Sequence, residues 1–206
     1  MFATIRRGRW QSSGADETLC PTLTGARFRP PRHMVPSEVA VGAHGPLCAG
    51  RICGIVSRMT EHRFFDELWL PRPRAEVFPF FADARNLGVI TPPWLRFEVL
   101  TPSPIGMRAG ALIDYRLRFR GLPLRWRTEI TVWEPPSRFV DRQLRGPYRL
   151  WHHAHTFEER DGGTLCRDEV RYAVLGGEWV NRLFVRRDVG RIFAFRRQKL
   201  LELFAR

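Results

Sequence analysis

From Phe64 to the Gly176-Gly177 pair, apolar and polar residues alternate in short runs separated by turn formers, the period-2 signature of strands with one buried face. Phe64 to Leu70 reads as a first strand, closed by Pro71 and Pro73, whose nitrogens cannot donate to a ladder. The period then changes. Arg74 to Phe81 places Val77, Phe78 and Phe81 at helical spacing, and Asn86 to Ile90 adds a second short turn before Pro92 and Pro93. Phe97 to Thr101 is a short strand. Ala111 to Arg120 is the clearest one, with Ile113, Tyr115, Leu117 and Phe119 on one face and Asp114, Arg116, Arg118 and Arg120 on the other. Such a strand covers a core on one side and meets water on the other.

Leu124 to Trp133 sets Trp126, Thr128, Ile130 and Val132 on one face, and Glu134-Pro135-Pro136-Ser137 turns the chain. Phe139 to Arg145 follows, then a turn at Gly146-Pro147. Arg149 to Glu159 carries Trp151, His153, His155 and Phe157 on one face, and Asp161-Gly162-Gly163 supplies residues tolerant of positive φ for a hairpin. Thr164 to Leu175 is the last strand, with Cys166, Asp168, Val170 and Tyr172 in one row. Glu178 to Phe204 returns to steps of three and four, with Val185, Val189, Ile192, Phe193, Leu200 and Leu203 between arginines. That is an amphipathic helix of about 25 residues, roughly 38 Å long, with Gly190 as its expected bend. The order predicts an α+β fold in which one curved antiparallel sheet holds a long closing helix on its concave face.

Residues 1–58 are different material. They are rich in Gly, Pro, Ser and Arg, show neither period, and carry 8 arginines against 3 acids. Two domains of description follow: 1–58 as a disordered tail or a mis-assigned start, and 59–206 as the folded domain opened by Met59. The tail's acids and its lack of an amphipathic helix argue against an organellar transit peptide.

The 206 residues carry 34 basic and 21 acidic groups, a formal charge of +13, which by itself points to nucleic acid or an anionic membrane. All the basic residues but Lys199 are arginines, scattered through strand-like segments without forming a block, so nucleic acid is not an expected partner. Cys20, Cys48, Cys53 and Cys166 form no CxxC pair and have no histidine at zinc spacing, which leaves no disulfide framework, structural metal or cofactor indicated. No apolar run of membrane-spanning length occurs, and a reducing cytoplasm is the default location. Nucleophile-elbow, dinucleotide and P-loop motifs are absent as well, which favours binding over chemistry.

The element order, the stretch LRWRTEITVWEPPSRFVDRQLRGPYRLWHHAHTFEERDGGT, and the later RDEVRYAV and IFAFRRQKL resemble the SRPBCC superfamily, also called START-like or helix-grip. The nearest likeness is to bacterial ligand-binding members related to the polyketide cyclase/dehydrase and coenzyme Q-binding START-type groups. It covers about Phe64 to Phe204. The resemblance implies a curved sheet gripping the C-terminal helix around a mostly apolar cavity, and a hydrophobic small molecule as partner. It implies no particular reaction, because one scaffold serves carriers and enzymes alike.

If the apolar faces point inward, the candidate lining is Tyr115, Leu117 and Phe119; Trp126, Thr128 and Ile130; Trp151, His153 and His155; and Val170 and Tyr172. The helix would add Phe184, Ile192, Phe193 and Arg196. A solid core is the alternative. His153 and His155 stand two apart on one strand face, with side chains about 6 to 7 Å apart, a spacing that serves a proton relay, or a metal if a third ligand exists. Asp168 falls in an apolar row and needs a partner, for which His153, His155 or an arginine of the last helix are at hand; Asp141 and Gln143 follow Phe139 on the neighbouring strand. These polar groups fix strand register, anchor a ligand, or, with His153, His155 and Asp168 as the catalytic candidates, move protons. Cys166 reads as packing. Arg116, Arg118, Arg120, Arg125 and Arg127 form a basic outer face, either a solvated edge or a peripheral contact with an anionic membrane. The expected assembly is a monomer or homodimer. Two functions are carried forward: sequestration of a polyketide, quinone or lipid, and a cyclase or dehydrase acting in the same cavity.

Overall fold

A computed structural model describes residues 9–12 and 60–204. Eight strands form one antiparallel sheet in the order β1-β2-β8-β7-β6-β5-β4-β3. These are β1 (Arg9–Ser12), β2 (His62–Leu70), β3 (Glu98–Val99), β4 (Leu112–Phe119), β5 (Leu122–Glu134), β6 (Arg138–Arg145), β7 (Leu150–Arg160) and β8 (Gly163–Ala173). Between β2 and β3 lie α1 (Arg74–Ala82) and two 3₁₀ turns, Ala84–Gly88 and Pro93–Leu95. After β8 come α2 (Gly177–Val180), a π-helical turn (Asn181–Val185) and α3 (Arg186–Phe204).

Each element follows its residue pattern. β2 and β4 alternate buried and outward positions along their length. The β4–β5 hairpin turns at Arg120-Gly121 and the β7–β8 hairpin at Asp161-Gly162, all four residues at positive φ as a two-residue turn of this hand demands. β5 pairs irregularly at Arg127/Thr128 and again at Ile130/Val132. Such bulges bend a strand and sharpen its twist, so the longest strand curls the sheet around the helix. The second bulge also shifts the inner face: Trp133, paired with Phe139, packs in the core where alternation assigned Val132.

One sequence expectation concerns β1, which lies within the stretch read as disordered tail. Arg9–Ser12 pairs with β2, and Trp10 packs its ring 4.8 Å from Phe64 and 6.2 Å from Tyr172, with the Arg186 guanidinium 5.1 Å above it. An isolated four-residue strand gives no periodicity to read. The remainder of 1–58 lies outside the described residues. The other difference is in the closing helix. Its irregularity falls at Asn181–Val185 rather than at Gly190, where an added Cβ would stand 3.9 Å from the Trp10 ring. There the wider turn seats Asn181 in the interior, where it accepts a hydrogen bond from the Tyr172 hydroxyl (2.8 Å) and donates to His62 Nδ1 (3.0 Å). α3 then buries Val189, Phe193, Arg196 and Leu200 at steps of three and four against the sheet. No helix among the described residues is long and apolar enough to cross a membrane.

Candidate functional site

The inner face of the sheet is filled unevenly. Beneath α1, Phe78 packs edge-on against Phe157 at 5.4 Å and tilted on Trp133 at 5.6 Å, and Phe81 lies 4.9 Å from Phe157. No part of α1 covers the other half. There a cavity of about 260 Å³ remains between β4 to β7 and α3, and a smaller chamber of about 70 Å³ lies between it and Phe80 and Phe81 of α1.

Of the residues expected from alternation, Tyr115, Leu117, Phe119, Trp126, Trp151, His153, His155, Ile192, Phe193 and Arg196 border the larger cavity. Thr128 and Ile130 border the smaller one. Four lie elsewhere. Val170 and Tyr172 are fully buried in a packed cluster with Phe64, Val189 and Phe193, because β8 runs directly under α3. Phe184 is 44% exposed and stacks on the Arg120 guanidinium, since the extra residue of the π turn rotates the inward face to Val180, Val185 and Val189. Asp168 sits behind the histidines rather than at the cavity wall. Other wall residues come from connections without periodicity, among them Leu87, Thr91, Leu95 and Phe97, and Pro147 and Tyr148. Gln143 places the last of these: its Nε2 donates to the Tyr148 carbonyl (2.6 Å) and its Oε1 accepts from the Tyr148 amide (3.3 Å). Tyr148 then meets Trp151 at 4.7 Å and Trp126 at 5.5 Å, an aromatic wall.

The polar end is built across four strands. Register sets Asp66 beside Asp168, Asp168 beside His155, and His153 beside Asp141. His153 Nε2 donates to Asp168 Oδ1 at 2.8 Å, and His155 Nε2 donates to Asp141 Oδ2 at 3.0 Å. His155 Nδ1 is also 2.8 Å from Asp168 Oδ1, but at an angle that makes no hydrogen bond. Both rings lean toward the shared carboxylate, so their centroids are 3.8 Å apart, closer than strand spacing alone gives. Asp66, a residue the sequence reading passed over, is held by Arg197.

Burial works to raise the Asp168 carboxyl, but the histidines at its side hold it well below the usual range. Asp141 is lowered in the same way, against burial, by His155, His153 and Arg196. Burial and the neighbouring His155 push His153 down to about 4. His155 is raised despite burial, by its contacts with Asp141 and Asp168. The two rings are thus pushed apart, His153 toward its neutral form and His155 toward its charged one. Burial pushes the Tyr115 phenol and the Cys166 thiol up, which leaves both neutral and Cys166 unreactive. Tyr115 and Trp126 instead share Thr128 Oγ1 as a hydrogen-bond partner, each at 3.0 Å.

Asp141 supplies the third ligand type that the histidine pair lacked: one atom each of Asp141, His153 and His155 lies within 4.8 Å of the others. A cation there would sit near the Arg196 guanidinium, whose Nη1 is 4.0 Å from Asp168 Oδ1. The histidine–aspartate hydrogen bonds are the simpler account of these residues.

The outer basic face is partly neutralised. Arg116 pairs with Glu98, Arg127 with Asp114, and Arg120 turns toward α3 to pair with Asp188 at 3.1 Å.

No curated protein matches the chain. Among solved structures, protein Ms6760 from Mycobacterium smegmatis is 19% identical with a TM-score of 0.53, covering 69% of this chain and 90% of that one. Protein CV1439 from Chromobacterium violaceum is 13% identical at 0.54, over 69% and 96%. Major latex-like protein 151 from Panax ginseng is 10% identical at 0.53, over 70% and 97%. These likenesses show the helix-grip fold. Residues 70–195 match the profile of the family described as polyketide cyclase / dehydrase and lipid transport, more than half of the chain, with the cavity wall except Arg196 and the first half of α3 inside the match. The chain belongs to that family.

Proposed function

We propose that the chain binds a hydrophobic small molecule, of polyketide, quinone or lipid type, between the sheet and α3. The observation that carries this reading is the cavity of about 260 Å³, walled by Trp126, Tyr148 and Trp151 and met at one end by a few convergent polar groups. Burial of apolar ligand surface, at roughly 25 cal/mol per Å², supplies most of the affinity. Tyr115, His153, His155 and Arg196 orient the polar end of the ligand, with Asp168 holding the histidines from behind. Family membership supports a ligand of this class. The protein works in the cytoplasm as a monomer or homodimer, with Arg118 and Arg125 as the contact for an anionic membrane surface.

Native mass spectrometry of the full chain purified from its source organism, followed by organic extraction, tests this. A stoichiometric apolar compound is expected; an empty, folded protein that takes up no apolar compound would overturn it.

A second reading, a cyclase or dehydrase, is favoured by one observation: two adjacent histidines at the wall of an apolar cavity, His155 shifted toward its charged form and His153 toward its neutral one, each hydrogen-bonded to an aspartate. It predicts that His155→Gln lowers turnover of a bound polyketide about 10²- to 10⁴-fold with binding little changed. Unchanged turnover would dismiss it.

A further inference from the structure

α3 presents two consecutive arginines to the sheet, Arg196 buried and Arg197 partly so, and they are treated differently. Arg197 is matched by the protein itself, donating to the Asp66 carboxylate and to the Glu67 carbonyl. Arg196 is 9% exposed, and among the described residues nothing hydrogen-bonds its buried Nε. Its Nη1 stands 4.0 Å from Asp168 Oδ1, beyond hydrogen-bond reach, and its planar group lies 5.0 Å over the Phe193 ring. A guanidinium has five donors and no acceptor, so burying it without partners is costly. Nor is it sealed into packing: Arg196 borders both the larger cavity and the smaller chamber, together with Leu87, Tyr115, Asp141 and His155.

We propose that the ligand carries an anionic oxygen group, a carboxylate or phenolate, that pairs with the Arg196 guanidinium while its apolar body fills the aromatic end. The inference rests on the binding reading above and names the ligand class. The fork of a guanidinium matches a planar oxyanion bidentately. The acids facing this position are engaged already: Asp141 by His155 Nε2, and Asp168 by His153 Nε2.

The test is calorimetric titration of the full-length protein at neutral pH with a matched pair of probes, 2-naphthoate and the neutral 2-naphthalenemethanol. Wild type is expected to bind naphthoate about tenfold or more tightly than the alcohol, the scale of a hydrogen bond to a charged group. In Arg196→Gln the preference falls to within about twofold while the alcohol still binds, which also reports an intact fold; Arg196→Lys keeps part of the preference. Equal binding of the two probes by wild type would overturn the anion inference and leave the cavity reading standing. Binding of neither would overturn both.

Discussion

The two halves of the sheet's inner face share one alternation pattern and end as different materials. Under α1, Phe78, Phe81, Trp133, Phe139 and Phe157 interlock ring against ring. Away from α1, Tyr115, Trp126, Tyr148 and Trp151 are just as aromatic, yet they surround empty space. What differs is the cover. The solid half has a helix across it; the open half has only α3 and the unpatterned segments around Leu95 and Tyr148. Period 2 reports which face is apolar, and the elements that cross the face decide whether it fills.

The sharpest way to break this contrast is to cut a large side chain from each half. Phe78→Ala leaves a hole in a dense cluster and is expected to cost about 3–5 kcal/mol in urea unfolding. Leu117 already borders the cavity, so Leu117→Ala is expected near the bottom of the range for buried leucine, about 2 kcal/mol. Equal costs at the two sites would mean that the open half is packed in solution.

The polar seam beside the cavity gives a smaller, pH-dependent effect. With its folded value near 4, neutral His153 binds fewer protons than it does in the unfolded chain between about pH 4 and 6.5. Stability therefore rises with pH across that window, by up to about 3 kcal/mol from this group. The raised value of His155 acts in the opposite sense above its ordinary value, where stability is lost as pH rises. Urea midpoints of wild type and His153→Gln measured across pH 4 to 7 separate the two: the variant is expected to lose the rise, and parallel curves would remove His153 as its cause.

The outer face should hardly respond. Arg127→Gln, which breaks an exposed pair with Asp114, is expected to cause only a marginal loss of stability, smaller still in high salt. A larger loss in thermal unfolding would show that the outer face contributes to holding the curl of the sheet.

Much of this was legible in the residues. Strand order, inner faces, the helix-grip architecture and Asp168's need for a partner all followed from alternation and the cost of burying charge, with the family resemblance behind them. Asp66 carried the same signal, a charge between Phe64 and Leu68, but its partner Arg197 lies 131 residues away, where pattern does not reach. The bulge at Ile130/Val132 and the π turn at Asn181–Val185 were invisible for another reason. Each inserts a residue into a regular period, so the sequence beyond it keeps its rhythm while the face it presents changes. That is why Val132 and Phe184 were assigned inward and Trp133 was not. Cavity residues on connections, such as Pro147 and Tyr148, have no period at all.

The central claim, that the open half is a ligand site, is tested most directly by titrating the full-length chain with 1-anilinonaphthalene-8-sulfonate and comparing wild type with Leu117→Trp, which fills the cavity from β4. Wild type is expected to show one saturable, blue-shifted site, lost in the variant while its unfolding stays cooperative. The same binding in both proteins, or none in folded wild type, would contradict it.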